Sequence, residues 1–145
     1  MITEILLRYI HFIALFFWIG ALTSEHLLLK PQMSRAAITR LARIDAVYGI
    51  SAVLVVAAGL TLWFGVGKPA EFYSGNWIFH VKVGLAVIVG LLSIYPTVFF
   101  TKNRKGQESE MIDIPSNIKL LVRIQLAIML IIPLLATLMA KGIGT

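Results

Sequence analysis

Two histidines and a lysine interrupt stretches of the chain that are otherwise apolar. His11 sits in Tyr9-Ile10-His11-Phe12-Ile13, and His80 and Lys82 sit in Trp77-Ile78-Phe79-His80-Val81-Lys82. An ionisable side chain in hydrocarbon costs a few kcal/mol to insert, so each is a candidate functional group. Neutral imidazole is the commonest metal ligand, and one or two imidazoles hold haem b without any covalent link. On this reading His11 and His80 are the candidate metal and cofactor ligands. Lys82 and Arg8 are the candidate catalytic cations, placed to hold propionates or an anionic substrate. Each residue also has a plainer reading: a histidine near the headgroups is simply polar there, and a lysine can snorkel outward.

The absence of cysteine removes disulfides, thiolate metal sites, iron–sulfur clusters and covalently attached haem. The five methionines form no closely spaced cluster of the kind a dedicated copper path would use.

These groups need elements to carry them. The chain has 145 residues, 59% of them hydrophobic and only 14% charged, with a mean hydropathy of +0.88. A soluble domain is roughly half apolar and a quarter charged. Four runs, near Ile5–Leu29, Ile44–Val66, Trp77–Thr101 and Ile118–Ala140, each reach the ~20 residues that span ~30 Å of hydrocarbon. The expected fold is all-α: a polytopic membrane protein forming one antiparallel four-helix bundle over residues 1–145. The first run is too long for a cleaved signal peptide and carries Arg8 and His11 inside it. The net charge is +6, but the basic residues sit in loops without interleaved stacking aromatics, which speaks against nucleic acid as a partner.

Local signals mark the ends. Pro31 closes the first helix, and Ala36 to Arg43 can extend the second along the membrane surface. Gly65, Gly67 and Pro69 stop the second helix. The next connection holds Lys68 and Glu71, and Phe72, Tyr73 and Trp77 form an expected interfacial belt. Asn76 is the expected N-cap of the third helix, and Ser116 or Asn117 that of the fourth. Pro96 and Pro133 are expected kinks. Gly20, Gly49, Gly84, Ala86 and Gly90 are expected to allow close packing and room for a cofactor. The polar stretch from Lys102 to Asn117 reads as a mobile loop.

Lys30, Arg35, Arg40 and Arg43 in the first connection, with Lys102, Arg104, Lys105 and Lys119 around the third, outweigh Lys68 and Lys141 on the other side. The positive-inside rule then puts both termini outside the cytoplasm of a bacterial inner membrane. By helical rise, His11, Lys82 and His80 lie about 9, 10 and 13 Å from the midpoints of their helices. They therefore share the outer half of the bilayer. Glu25, His26, Asp45, Tyr48, Arg123 and Gln125 gather toward the other face, where Arg123 is the natural counter-ion for Glu25 or Asp45.

Three segments carry a resemblance. The run Leu7-Arg8-Tyr9-Ile10-His11 through Trp18-Ile19-Gly20, the pattern Arg40–Arg43 followed by Tyr48-Gly49 and Gly59-Leu60, and the start Trp77 to Lys82 are similar to helices of the haem-containing protoporphyrinogen IX oxidase family. The first helix also resembles the copper-resistance D-type membrane domain. The oxidase resemblance implies essential roles for His11 and Lys82. The fourth helix lacks the polar signature that family shows there. The whole chain most resembles an uncharacterised family of four-helix bacterial inner-membrane proteins.

Three functions follow as expectations. The first is a haem-b redox protein exchanging electrons with a quinol or porphyrinogen, an oxidoreductase if it turns over substrate. The second is metal-ion handling or transport. The third is a non-catalytic membrane subunit. The lipid bilayer is a partner in all three, a quinone or porphyrin in the first, and a homo-oligomer stays open.

Overall fold

The structure is a computed structural model describing residues 1–66 and 74–144. The expectations for Gly67, Lys68, Pro69, Glu71, Phe72 and Tyr73 lie outside the described residues. Four long helices dominate: α1 (Ile2–Leu28), α2 (Arg35–Thr61), α3 (Trp77–Asn103) and α4 (Ser116–Ala140). Each is long and apolar enough to cross a membrane. The shortest, α4 with 25 residues, is about 38 Å long, more than a bilayer's hydrocarbon core.

A spacing of alternating threes and fours decides which residues face inward. On α1 the buried positions are Ala14, Trp18, Ala21, Leu22 and Glu25. On α2 they include Leu41, Asp45, Tyr48, Ser51 and Val55. On α4 they run Ile118, Val122, Gln125, Met129, Ile132 and Met139. This seam of about 3.5 residues per turn is that of helices packing nearly antiparallel in a bundle. The large exposed side chains, Phe16, Phe17, Ile50, Val53, Leu91 and Leu130 among them, fall off the seam and face lipid.

The helices form a ring. α1 packs along α2 and α3 along α4, and the two hairpins meet through α2–α3 and α1–α4. Helices α1 and α3 therefore lie across the diagonal. They face one another across the bundle interior rather than packing side by side.

The second helix starts at Arg35 rather than near Ile44, so the basic segment is helical throughout. Ser34 caps it, its hydroxyl accepting from the Ala37 amide at 3.2 Å. Beyond Thr61 the helix widens into a single π-helical segment, Leu62–Val66. Asn76 caps α3 as expected, accepting from the Ile78 amide at 2.9 Å. Its amide group also donates to the Ile143 carbonyl at 3.1 Å, tying the C-terminal segment to this helix start. α4 departs from expectation: its N-cap is Pro115, and no side chain caps it.

The polar stretch expected to be a mobile loop is built into the fold. Met111–Asp113 forms a strand, β2, pairing antiparallel with β1, Gln32–Ser34. This ribbon joins the turn of the first hairpin to the turn of the second, so both basic connections lie at one end of the bundle. Arg35 fastens it, donating to the carbonyls of Asn103 and Lys105 and to the Glu110 carboxylate at 2.8 Å. Gly106 turns the chain with φ of 129° directly over that guanidinium, where an added Cβ would sit 2.7 Å from Arg35 Nε.

Candidate functional site

His11 is half-buried and faces α2. Its Nδ1 lies 3.0 Å from the Val55 carbonyl. A carbonyl only accepts, so Nδ1 carries the hydrogen and, in the neutral ring, Nε2 keeps the lone pair. The ring packs over Gly59, where an added Cβ would lie 3.4 Å from His11 Cε1. An added Cβ at Gly59 would only come into ordinary van der Waals contact with the ring. At Gly20, Gly49, Gly84 and Gly90 an added Cβ meets nothing within 4 Å. These glycines face open space instead of a packed neighbour.

The other residues expected beside His11 are spread apart. His80 is exposed; its Nε2 donates to the Ser74 carbonyl at 2.8 Å, and its ring neighbours Trp63 and Phe79. Among the described residues no hydrogen bond or ring contact joins His80 to His11. Lys82 is half-buried, with Nζ 5.7 Å from the centre of the Phe79 ring, a cation–π distance. Lys82 stands near enough to His11 that the two would repel if both were charged. Arg8 is paired with Glu4 at 2.7 Å, one turn before it on the same helix. No group of three or more His, Cys, Asp or Glu side chains suited to a metal occurs among the described residues.

The polar groups of the other half converge more closely. Glu25 is 2% exposed, Asp45 7%, Tyr48 4% and Gln125 1%. These come from α1, α2 and α4, brought together because each occupies an inward seam position. The Tyr48 hydroxyl donates to Gln125 Oε1 at 2.7 Å and lies 3.5 Å from the Val89 carbonyl of α3. Trp18 meets the Tyr48 ring edge-on, with centroids 5.9 Å apart. Its Nε1 points toward the Tyr48 oxygen but stops short of hydrogen-bond geometry. Ser93 of α3 also reaches toward that oxygen.

The Glu25 and Asp45 carboxyl groups face each other closely enough to interact side chain to side chain, and Glu25 Oε1 is buried with no hydrogen-bond partner among the described residues. This corrects the expected pairing with Arg123. The Arg123 Nε instead donates to His26 Nε2 at 3.5 Å, on the exposed flank of the bundle. Both ion pairs among the described residues, Arg8–Glu4 and Arg35–Glu110, lie elsewhere. A hydrogen bond between two carboxyl groups exists only when one of them carries a proton. Two carboxyl groups this buried and this close are arranged to share a proton rather than to carry two charges. The sequence places Glu25 and Asp45 at the same end and offers Arg123 as counter-ion for one or the other, because opposite charges are the usual buried pairing. The available signal was the seam itself: His11, Trp18 and Glu25 follow one another at intervals of seven along one face of α1.

The fold and the buried cluster define a polytopic four-helix membrane protein with an interior polar core. Within that class, a family model described as "Predicted membrane protein (DUF2214)" matches residues 3–144, and the chain belongs to that family. No curated protein and no solved structure matches the chain significantly.

Proposed function

We propose that this protein handles protons within the membrane, with the Glu25–Asp45 carboxyl pair as its proton-holding site and His11 with Lys82 as the polar groups of the opposite half. The observation that carries this reading is the approach of two buried carboxyl side chains, Glu25 and Asp45, with no cation paired to either among the described residues. Buried charge in a low-dielectric interior is costly unless paired or neutralised. A shared proton neutralises half of this pair and remains exchangeable. Tyr48, Gln125 and Ser93 surround it with groups able to donate and accept. Such a module serves a proton-coupled transport or redox process, on its own or as a membrane subunit of a larger assembly. The positive-inside count favours the bacterial inner membrane with the carboxyl pair toward the cytoplasm.

Infrared spectroscopy on the reconstituted protein tests the site. A protonated-carboxyl stretch should appear at neutral pH, shift in heavy water, and vanish in Glu25→Gln. In vesicles with an internal pH dye, the wild type should pass protons under a membrane potential, and Glu25→Gln should fall to the leak of protein-free vesicles. An identical infrared spectrum for both proteins, together with equal proton flux, overturns the reading.

A second reading keeps haem b at His11. What favours it is the Val55 contact: a carbonyl holding Nδ1–H orients an imidazole so that Nε2 is free to ligate. The residues fit single ligation and not a pair, since His80 is engaged with Ser74. Haem would supply electron exchange with a quinol or porphyrin. The chain's own part would be His11 as ligand, with Lys82 available to an anionic group once released from the Phe79 face. Arg8 would first have to leave Glu4. Expression with added haem should give a Soret band that His11→Ala removes; a colourless wild-type protein sinks this reading.

A further inference from the structure

At the ribbon end of the bundle a second feature stands apart from the interior cluster. A pocket of about 250 Å³ opens between the C-terminal end of α1 and the start of α4, lined by Leu29, Lys30 and Pro31 and by Ser116, Lys119 and Arg123 among others. Three of its lining residues are cations and none is an acid. The nearest acid in sequence, Asp113, is engaged by Gln32 Nε2 at 2.8 Å. Lys119 Nζ makes one long hydrogen bond, 3.4 Å to the Leu29 carbonyl. Arg123 uses Nε toward His26, leaving its two terminal nitrogens uncommitted among the described residues.

The start of α4 adds to the same field. Pro115 is its N-cap and has no side chain to offer, and no acid stands in the first turn. The positive end of the helix dipole therefore lies beside the pocket, where Pro115 and Ser116 line it, without an acid in the first turn. The pocket also sits at a defined depth, where α1 ends and α4 begins, at the boundary between apolar span and basic connection. Its lining also includes the buried Leu29 and Leu120, which is 53% exposed.

We propose that this pocket binds the headgroup phosphate of an anionic phospholipid, with Lys30, Lys119, Arg123 and the Ser116 hydroxyl around the phosphate and an acyl chain running down over Leu120. The surroundings favour a lipid over a free anion: the three cations stand at the end of an apolar span, and the exposed Leu120 lies among them on α4. Basic pockets between membrane helices on the positive side are where anionic headgroups are held.

Native mass spectrometry of the full chain, released from micelles doped with phosphatidylglycerol or phosphatidylcholine, tests this. The wild type should retain phosphatidylglycerol in preference. Lys30→Gln/Lys119→Gln/Arg123→Gln should lose that preference by well over tenfold, at about fivefold per cation. Arg40→Gln/Arg43→Gln/Lys102→Gln removes three exposed cations from the same end and should leave it within about twofold. Ser116→Glu, which fills the pocket with a carboxylate and removes no cation, should also abolish it and guards against a misfolded triple variant. Excess inorganic phosphate should not displace the lipid. Equal loss in both triple variants, no preference over phosphatidylcholine, or full displacement by phosphate overturns the proposal.

Discussion

Tyr48 is the residue on which the interior turns. It touches Trp18, Gln125 and Val89 and lies beside Ser93, so one side chain links all four helices. Removing its hydroxyl leaves the Gln125 carbonyl buried and unpaired. Interhelical hydrogen bonds in membranes are worth about 0.6 kcal/mol on average and up to about 1.7. Tyr48→Phe should therefore lower stability to denaturing detergent by about 1 kcal/mol, the upper part of that range. Tyr48→Phe/Gln125→Leu should cost less than the two single changes added together, which a double-mutant cycle measures. His11 was legible as an anomaly, an ionisable group in an apolar run. Its partner was not, because Val55 contributes a backbone carbonyl and any residue type would have supplied one. The Glu25–Asp45 contact was hidden for another reason: charge complementarity ranks a carboxyl pair last, and only packing forces it.

At the level of elements, the four spans were readable because the length of an apolar run is fixed by bilayer thickness. The ribbon was not readable, since three-residue strands carry no periodicity, and the polar composition of 102–117 suits a loop equally well. Arg35 makes the difference. Its planar fork reaches two carbonyls and a carboxylate together, which a lysine's point charge does not. Arg35→Lys should release the segment from Arg104 to Glu110, giving roughly tenfold faster amide exchange there with little change in the helices. Gly106→Ala should do the same by a different route, since its φ of 129° and its closeness to Arg35 both exclude a side chain.

For the whole molecule, the order of helices around the ring was the part that sequence could not supply. Helical rise puts His11 and Lys82 at a similar depth. It could not say that α1 and α3 stand on a diagonal, because periodicity reports how much of a helix is buried and not which neighbour buries it. The ribbon does show that the two basic connections share one end. Orientation then becomes a single binary question. With no native cysteine, Gln107→Cys gives a clean reporter; it should react with an impermeant maleimide only after inner-membrane vesicles are inverted. Labelling in intact spheroplasts would reverse the assignment of the basic end to the cytoplasm.

The ribbon also has a bearing on how the molecule could be taken apart. β1 belongs to the first helical hairpin and β2 to the second, so these halves are stitched at one end by backbone hydrogen bonds. At the other end they are joined by the chain between residues 66 and 74. A gene split within that interval would make two fragments, each with two spans and each carrying one edge of the stitch. Co-expressed with separate tags, they should assemble into a complex that purifies through either tag. Arg35→Lys in the first fragment should weaken the complex. The molecule would then behave as a heterodimer of half-proteins that happens to be made as one chain.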